Sequence, residues 1–223
     1  MARSRRVRLS ALVKDKDKRK ERNIDLINKV RECCTCFKYI YVVILQNQRN
    51  SLLKLFRKKL GDGHFIFGKN KVLRLALGVK PQDEINNNIS SISQLLKGER
   101  ALIFSNLIPS EMMKICEDSS SLEFGRTGSI PGISYVLTAG CNIKEKLTLP
   151  DTVLHKLGLE TRIQGENYEL VSDFTVCETG VPLTNKQAQV LKYLGIQTVK
   201  FEIIIEAFWY DGKLYSSNSC NSN

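Results

Sequence analysis

Gly63-His-Phe-Ile-Phe-Gly68-Lys69 has the glycine and lysine spacing of a loop that cradles nucleotide phosphates. That chemistry needs open backbone between the glycines and a hydroxyl after the lysine to hold magnesium. Here the four intervening residues are an apolar, strand-like tetrad, and Asn70 stands where the hydroxyl belongs. A P-loop also follows its strand rather than containing it. Other catalytic chemistry has still less to work with. No serine or cysteine sits in a nucleophile-elbow pattern, and His64 and His155 lack metal-ligand spacing. Glu202 and Glu206 read as surface positions of a strand. Cys33, Cys34 and Cys36 lack a second ligand pair and read as small apolar filling at a helix end. No enzyme, cofactor, metal or small-molecule substrate is expected, and a nucleotide-binding enzyme built on the near-P-loop is the remote alternative.

The same glycine and lysines make better sense as a phosphate contact. In Gly68-Lys69-Asn70-Lys71 a glycine turn lets backbone approach, two lysines flank it, and Asn70 is placed to cap the following helix. Arg49, Asn50 and Ser51 with Lys54, Arg57 and Lys58 form a second basic surface, and Arg74 follows a turn after Lys71. Only Asp62 is acidic between Arg49 and Arg74, whereas solvated helices ordinarily mix signs. The net charge of +11 is distributed unevenly. Met1 to Arg74 holds 21 Lys and Arg against six Asp and Glu, and Leu75 to Asn223 holds 13 against 17. Such asymmetry points to a polyanion, because cations on phosphates release condensed counterions. A lipid surface would need bulky apolar residues left open opposite the basic face, and here those residues are needed for a core. The candidate RNA-binding set is Arg5 and Arg6 on the basic arm with Arg49, Asn50, Ser51, Lys54, Arg57, Lys58, Lys69, Asn70, Lys71 and Arg74, and the residues from Arg49 to Arg74 are expected to form one cationic patch.

The elements that must position these residues follow from periodicity. Residues 1–22 are charged and poor in apolar side chains, predicting a mobile basic arm that grades into a helix ending near Phe37, with Ile24, Ile27, Val30 and Cys34 at helical spacing. Tyr39 to Leu45 is apolar on both faces and predicts a central strand. Asn50 to Leu60 returns to the helical period, with Leu52, Phe56 and Leu60 on one side. Gly61 to Gly63 turns, His64 to Phe67 is a short strand, and a helix runs on through Leu77. Pro81 with Asp83 and Glu84 predicts a helix start, closed by Gly98. A strand from Ala101 to Ser105 and a helix after Pro109 complete the first stretch. Glycine-rich, mixed-charge sequence over 124–182 predicts a smaller β-rich insertion. A capping box at Thr184 to Gln187 and a long apolar strand from Val199 to Tyr210 return to the first style. The fold class is therefore α/β, an α/β sandwich domain over 23–123 and 183–215 with an inserted domain over 124–182 and a loose polar tail over 216–223.

No apolar run approaches the ~20 residues of a membrane span. Met1 to Lys20 stays charged, which argues against a secretory signal, and Asp15, Asp17 and Glu21 come too early for a mitochondrial presequence. Seven cysteines without an export signal read as reduced thiols of a cytosolic or nuclear protein.

Gln48-Arg-Asn-Ser51, Phe67-Gly-Lys-Asn-Lys71, Leu96-Lys-Gly98, Ser172-Asp-Phe174 and Leu183-Thr-Asn-Lys-Gln-Ala188, in this order and spacing, resemble the ribosomal stalk-base family from about Arg3 to Trp209. The resemblance implies an α/β rRNA-binding domain interrupted by an insertion domain. It implies binding to large-subunit rRNA at the stalk base in nucleolar and nuclear pre-60S particles, with shuttling to the cytoplasm, beside a neighbouring stalk-base ribosomal protein. Two roles exist in that family: an assembly factor that holds the site, and the acidic stalk protein that later replaces it. The chain ends after one strand and a Ser/Asn tail, without the stalk protein's further helices and acidic end, which favours the assembly factor over a mature ribosomal protein with a shortened C-terminus. Between Gly125 and Lys146 the match is thin, and no site residue is carried over there.

Overall fold

Tyr39–Gln46 forms β1, whose β-branched and aromatic residues bury on both sides. It lies mid-sheet between β3 (Arg100–Ser105) and β9 (Val199–Tyr210), with β2 (His64–Ile66) and β10 (Lys213–Ser216) outermost, in the order β10-β9-β1-β3-β2. The β1–β3, β2–β3 and β9–β10 pairs are antiparallel. The structure, a computed structural model, describes residues 5–78, 81–143, 149–164 and 167–216, with side chains of the first helix from Lys18 onward. The chain divides into two compact units, Met1–Ser119 with Ile203–Asn223, and Ser120–Glu202.

In the first unit, strand alternation sorts the core. Ile40, Val42, Ile66 and Leu102 point to one face, which is covered by α1 (Arg5–Cys36), α3 (Asn70–Leu77) and α4 (Ser90–Leu95). Phe65 points to the opposite face, where it meets Phe56 of α2 (Asn50–Lys59) edge-on at 5.8 Å between ring centroids. α5 (Pro109–Glu117) packs beside α2. Tyr39 and Tyr41 share that face with Phe208 and Tyr210 of β9, and the Tyr39 and Tyr210 rings stack at 4.6 Å.

Two expectations are corrected. The arm expected to be mobile through residue 22 is helical from Arg5, because residues 5–36 contain no glycine or proline and are rich in Lys and Arg, which favour propagation. Residues 1–4 lie outside the described residues. The single helix expected from Pro81 is instead a 3-10 turn, Pro81–Asp83, followed by irregular backbone and α4. Asn88 adopts φ +62°, which breaks the helix, and the Glu84 carboxylate accepts the amides of Asn88 at 2.9 Å and Ser90 at 3.1 Å. The Ser90 side chain, with those amides, holds the Glu84 carboxyl below its ordinary range.

The second unit holds β4 (Ser121–Glu123) against the start of β9, the antiparallel pairs β5 (Tyr135–Leu137) with β8 (Phe174–Cys177) and β6 (Thr161–Gln164) with β7 (Asn167–Leu170), and the helices α6 (Asp151–Leu157) and α7 (Asn185–Tyr193). α7 begins with the expected capping box of Thr184 and Gln187. This unit extends beyond the expected 124–182, because Val190 and Leu191 of α7 join Leu137, Leu154 and Val176 in its core. Residues 217–223, expected as a loose tail, lie outside the described residues.

Candidate nucleic-acid interface

The cationic surface begins with the period of α2. Leu53, Phe56 and Leu60 are buried, and Leu52 is only half-buried, so the packed stripe runs one residue later than the expected Leu52 position. The remaining arc leaves Asn50, Ser51, Lys54, Arg57 and Lys58 exposed. Lys54 and Lys58 are one turn apart. The Arg57 guanidinium carbon lies 5.2 Å from the centroid of the Phe65 ring, so an aromatic face steadies this cation without neutralising it. Arg57, Lys58 and Lys59 occupy the last turn, where the helix dipole favours positive charge. Lys59 Nζ donates to the Asp118 carbonyl at 2.7 Å and fastens α2 to the end of α5. Arg49, at the N-cap position, is half-buried and already engaged within the protein.

α3 treats similar residues differently. Lys69 is its extended N-cap residue, with no side-chain cap, and Lys69 and Lys71 are exposed. Asn70, expected to cap, instead donates Nδ2 to the Gly98 carbonyl at 2.8 Å. Arg74, expected as a phosphate contact, turns inward: Nη2 donates to the Leu96 carbonyl at 2.6 Å, and Nε is buried without a partner among the described residues. Arg100 donates Nη1 to the Lys97 carbonyl and holds Glu206 through Nε and Nη2 at 2.5 and 2.6 Å. Three successive carbonyls, 96 to 98, are thus bound by three side chains, and Lys97 is left exposed on the loop they secure. Sequence reasoning placed Lys97 only within a short motif and did not single it out as an exposed cation on a secured loop. Its signal is a lysine beside a turn glycine, Gly98, at φ +69°.

The expected single patch is therefore rearranged. α2 packs on the face to which Phe65 points and α3 on the face to which Ile66 points, so their cations flank β2 from opposite sides. β2 is the last strand of its sheet on that side. Among the described residues, none of Lys54, Arg57, Lys58, Lys69 and Lys71 has a carboxylate partner. Arg5 and Arg6 open α1, and their side chains lie outside the described residues.

The near-P-loop cannot cradle a nucleotide as folded. His64, Phe65 and Ile66 pair with Phe104, Ile103 and Leu102, so the span that should be open loop is sheet. His64 packs its ring 5.4 Å from that of Phe37, with Nδ1 3.3 Å from the Asp62 carbonyl. Cys33 and Cys34 fill the core beneath α1, and burial pushes the Cys34 thiol up to about 12. Among the described residues no His, Cys, Asp and Glu side chains gather as a metal site, and no helix is long and apolar enough to cross a membrane.

Comparison with known proteins adds to this geometry. Residues 18–121 match ribosomal protein L10, and residues 125–196 match the insertion domain found in the 60S form of that ribosomal protein. The second match includes α7, as the packing of the second unit does. The chain is 29% identical to the ribosome assembly factor mrt4 of Dictyostelium discoideum over 85% of its own length and 84% of that protein. It is 28% identical to the ribosome assembly factor MRT4 of Saccharomyces cerevisiae over 100% and 99%. The large ribosomal subunit protein uL10x of Arabidopsis thaliana is 22% identical over 88% of this chain and 60% of that protein.

Proposed function

We propose that the chain, which matches ribosomal protein L10 and its insertion domain in turn, is a ribosome assembly factor of that family that binds large-subunit rRNA at the stalk base of nuclear pre-60S particles. It holds the site without turning anything over, until the acidic stalk protein replaces it. The observation that carries this reading is the pair of cationic surfaces beside β2, whose lysines and arginine face solvent with no carboxylate partner among the described residues. Lys54, Arg57 and Lys58 take phosphates on one side of the strand, and Lys69 and Lys71 on the other. Asn50 and Ser51 add hydrogen bonds. Cations set on two sides of an edge suit a folded RNA element recognised by shape and backbone.

Greater identity to the proteins named ribosome assembly factor than to the mature ribosomal protein supports the placeholder role over the stalk protein's. Sedimentation separates the two: a placeholder travels with nuclear precursors in the nucleolus and nucleus and is missing from polysomes, and its presence in polysomes would end this reading. Binding to a transcribed stalk-base fragment tests the chemistry. Five phosphate contacts predict a log–log salt slope of about −4. A flat response would remove the phosphate grip altogether.

A further inference from the structure

We infer that Phe67 stacks on an unpaired base of the bound RNA, so that the interface reads one extruded nucleotide as well as phosphates; this rests on the RNA-binding reading above. Phe67 is 44% exposed, although Phe65 and Ile66 just before it are buried. Its backbone is fixed from both sides. Ile66 pairs with Leu102 in the sheet, and at Gly68 an added Cβ would lie 2.7 Å from Leu26 Cδ2, so the chain is pressed against α1. The ring is thus carried outward on a held stretch of backbone. An isolated exposed apolar residue is ordinary. Phe67, however, directly precedes Gly68 and the exposed Lys69 and Lys71, and lies two residues beyond the ring that steadies Arg57.

Phosphates drawn to those lysines bring their bases with them. Every base has a π face, so stacking needs no particular sequence, and a ring on constrained backbone loses little freedom when covered. A protein partner would have to place an apolar side chain among uncompensated lysines, which the charge disfavours.

The test compares the wild-type chain with Phe67→Ala, Phe67→Trp and Phe67→Leu on the transcribed stalk-base rRNA fragment. It repeats the measurement on fragments in which each unpaired position is made abasic in turn. Phe67→Ala should weaken binding about tenfold with the salt slope unchanged, since stacking is lost and no charge is. Phe67→Trp should bind like wild type, and Phe67→Leu should recover only part. One abasic fragment should reproduce the loss and be indifferent to Phe67→Ala. Wild-type affinity in Phe67→Ala, with binding still abolished by charge reversal on α2, overturns the stacking and leaves the phosphate grip standing. Full recovery by Phe67→Leu, or no effect at any abasic position, also overturns it and points to a protein surface. Should the wild-type chain show no salt-dependent binding, the parent reading fails first and takes this one with it. If Phe67→Ala unfolds at lower temperature, the Trp and Leu variants decide between stacking and mere bulk.

Discussion

α2 and α3 flank the same strand and carry the same kinds of residue, yet they use them differently: α2 commits Lys59 to the Asp118 carbonyl and keeps its other three cations for solvent, whereas α3 keeps only the two at its start. On α2, Lys54, Arg57 and Lys58 are exposed, and the nearest steadying group is an aromatic face. On α3, Lys69 and Lys71 are exposed at the start, but Asn70 and Arg74 turn to the carbonyls of residues 98 and 96. The difference lies in what passes nearby. A loop that presents carbonyls runs beside α3, and the carbonyl of buried Leu96 draws a donor strongly because leaving a buried acceptor unpaired costs free energy. Basic character in a sequence is therefore a supply, which structure and binding compete to use.

Breaking the two helices separately sharpens this contrast. Reversing the charges of α2 together, with Lys54→Glu, Arg57→Glu and Lys58→Glu, should weaken RNA binding at least a hundredfold and flatten its salt slope, with the fold intact by circular dichroism. A stable variant that still bound RNA normally would end the assignment of α2. Arg74→Ala should act the other way. Losing a charged hydrogen bond to Leu96 should cost about 2 kcal/mol in denaturant unfolding, while the salt slope of binding stays near that of wild type. A steep fall in slope instead would mean that Arg74 meets phosphate after all. Asn70→Ala removes a neutral hydrogen bond from the same loop and should cost about 1 kcal/mol by the same measurement.

The smallest effect concerns the entry to α4, the other helix against which α3 packs. Glu84 is held below its ordinary value of 4.5 chiefly by Ser90, so its contribution is present above that value and lost as pH falls through the lowered one. Amide protection at Ser90 should hold steady from neutral pH down to the ordinary carboxylate range and decline only below it. Glu84→Gln should reduce that protection at every pH. Protection that ignored both pH and the substitution would show that α4 needs no such support.

Where the pattern is short-range, the sequence was readable. The central strand, the helix over Asn50–Lys59, the short strand at His64–Ile66 and the capping box before α7 all rest on neighbours within a few residues. What escaped depends on partners far along the chain. Nothing near Arg74 announces that Leu96 will present a carbonyl 22 residues later. The α4 region reads as one helix because proline and acids start helices well, and only the folded Glu84–Ser90 contact shows the chain restarting. The cations beside β2 were found as residue types, but their division between two faces was not. That division turns on the alternation of Phe65 and Ile66, a single step in a three-residue strand.

α1 has 32 residues, a rise of about 48 Å, and among its described side chains, from Lys18 onward, the first buried one is Val30, with Leu26 and Ile27 packed partly before it. The stretch ahead of them carries Arg5, Arg6 and Arg8, then a dense run of lysines and arginines to Arg22. On the function proposed above, such a rod sets the tempo of encounter more than the tightness of the final complex. Its field enlarges the target that a drifting polyanion can meet, so capture quickens at low ionic strength while the lifetime of the complex stays with the short-range contacts around β2. Speed and grip would then belong to different stretches of one chain, each adjustable without the other.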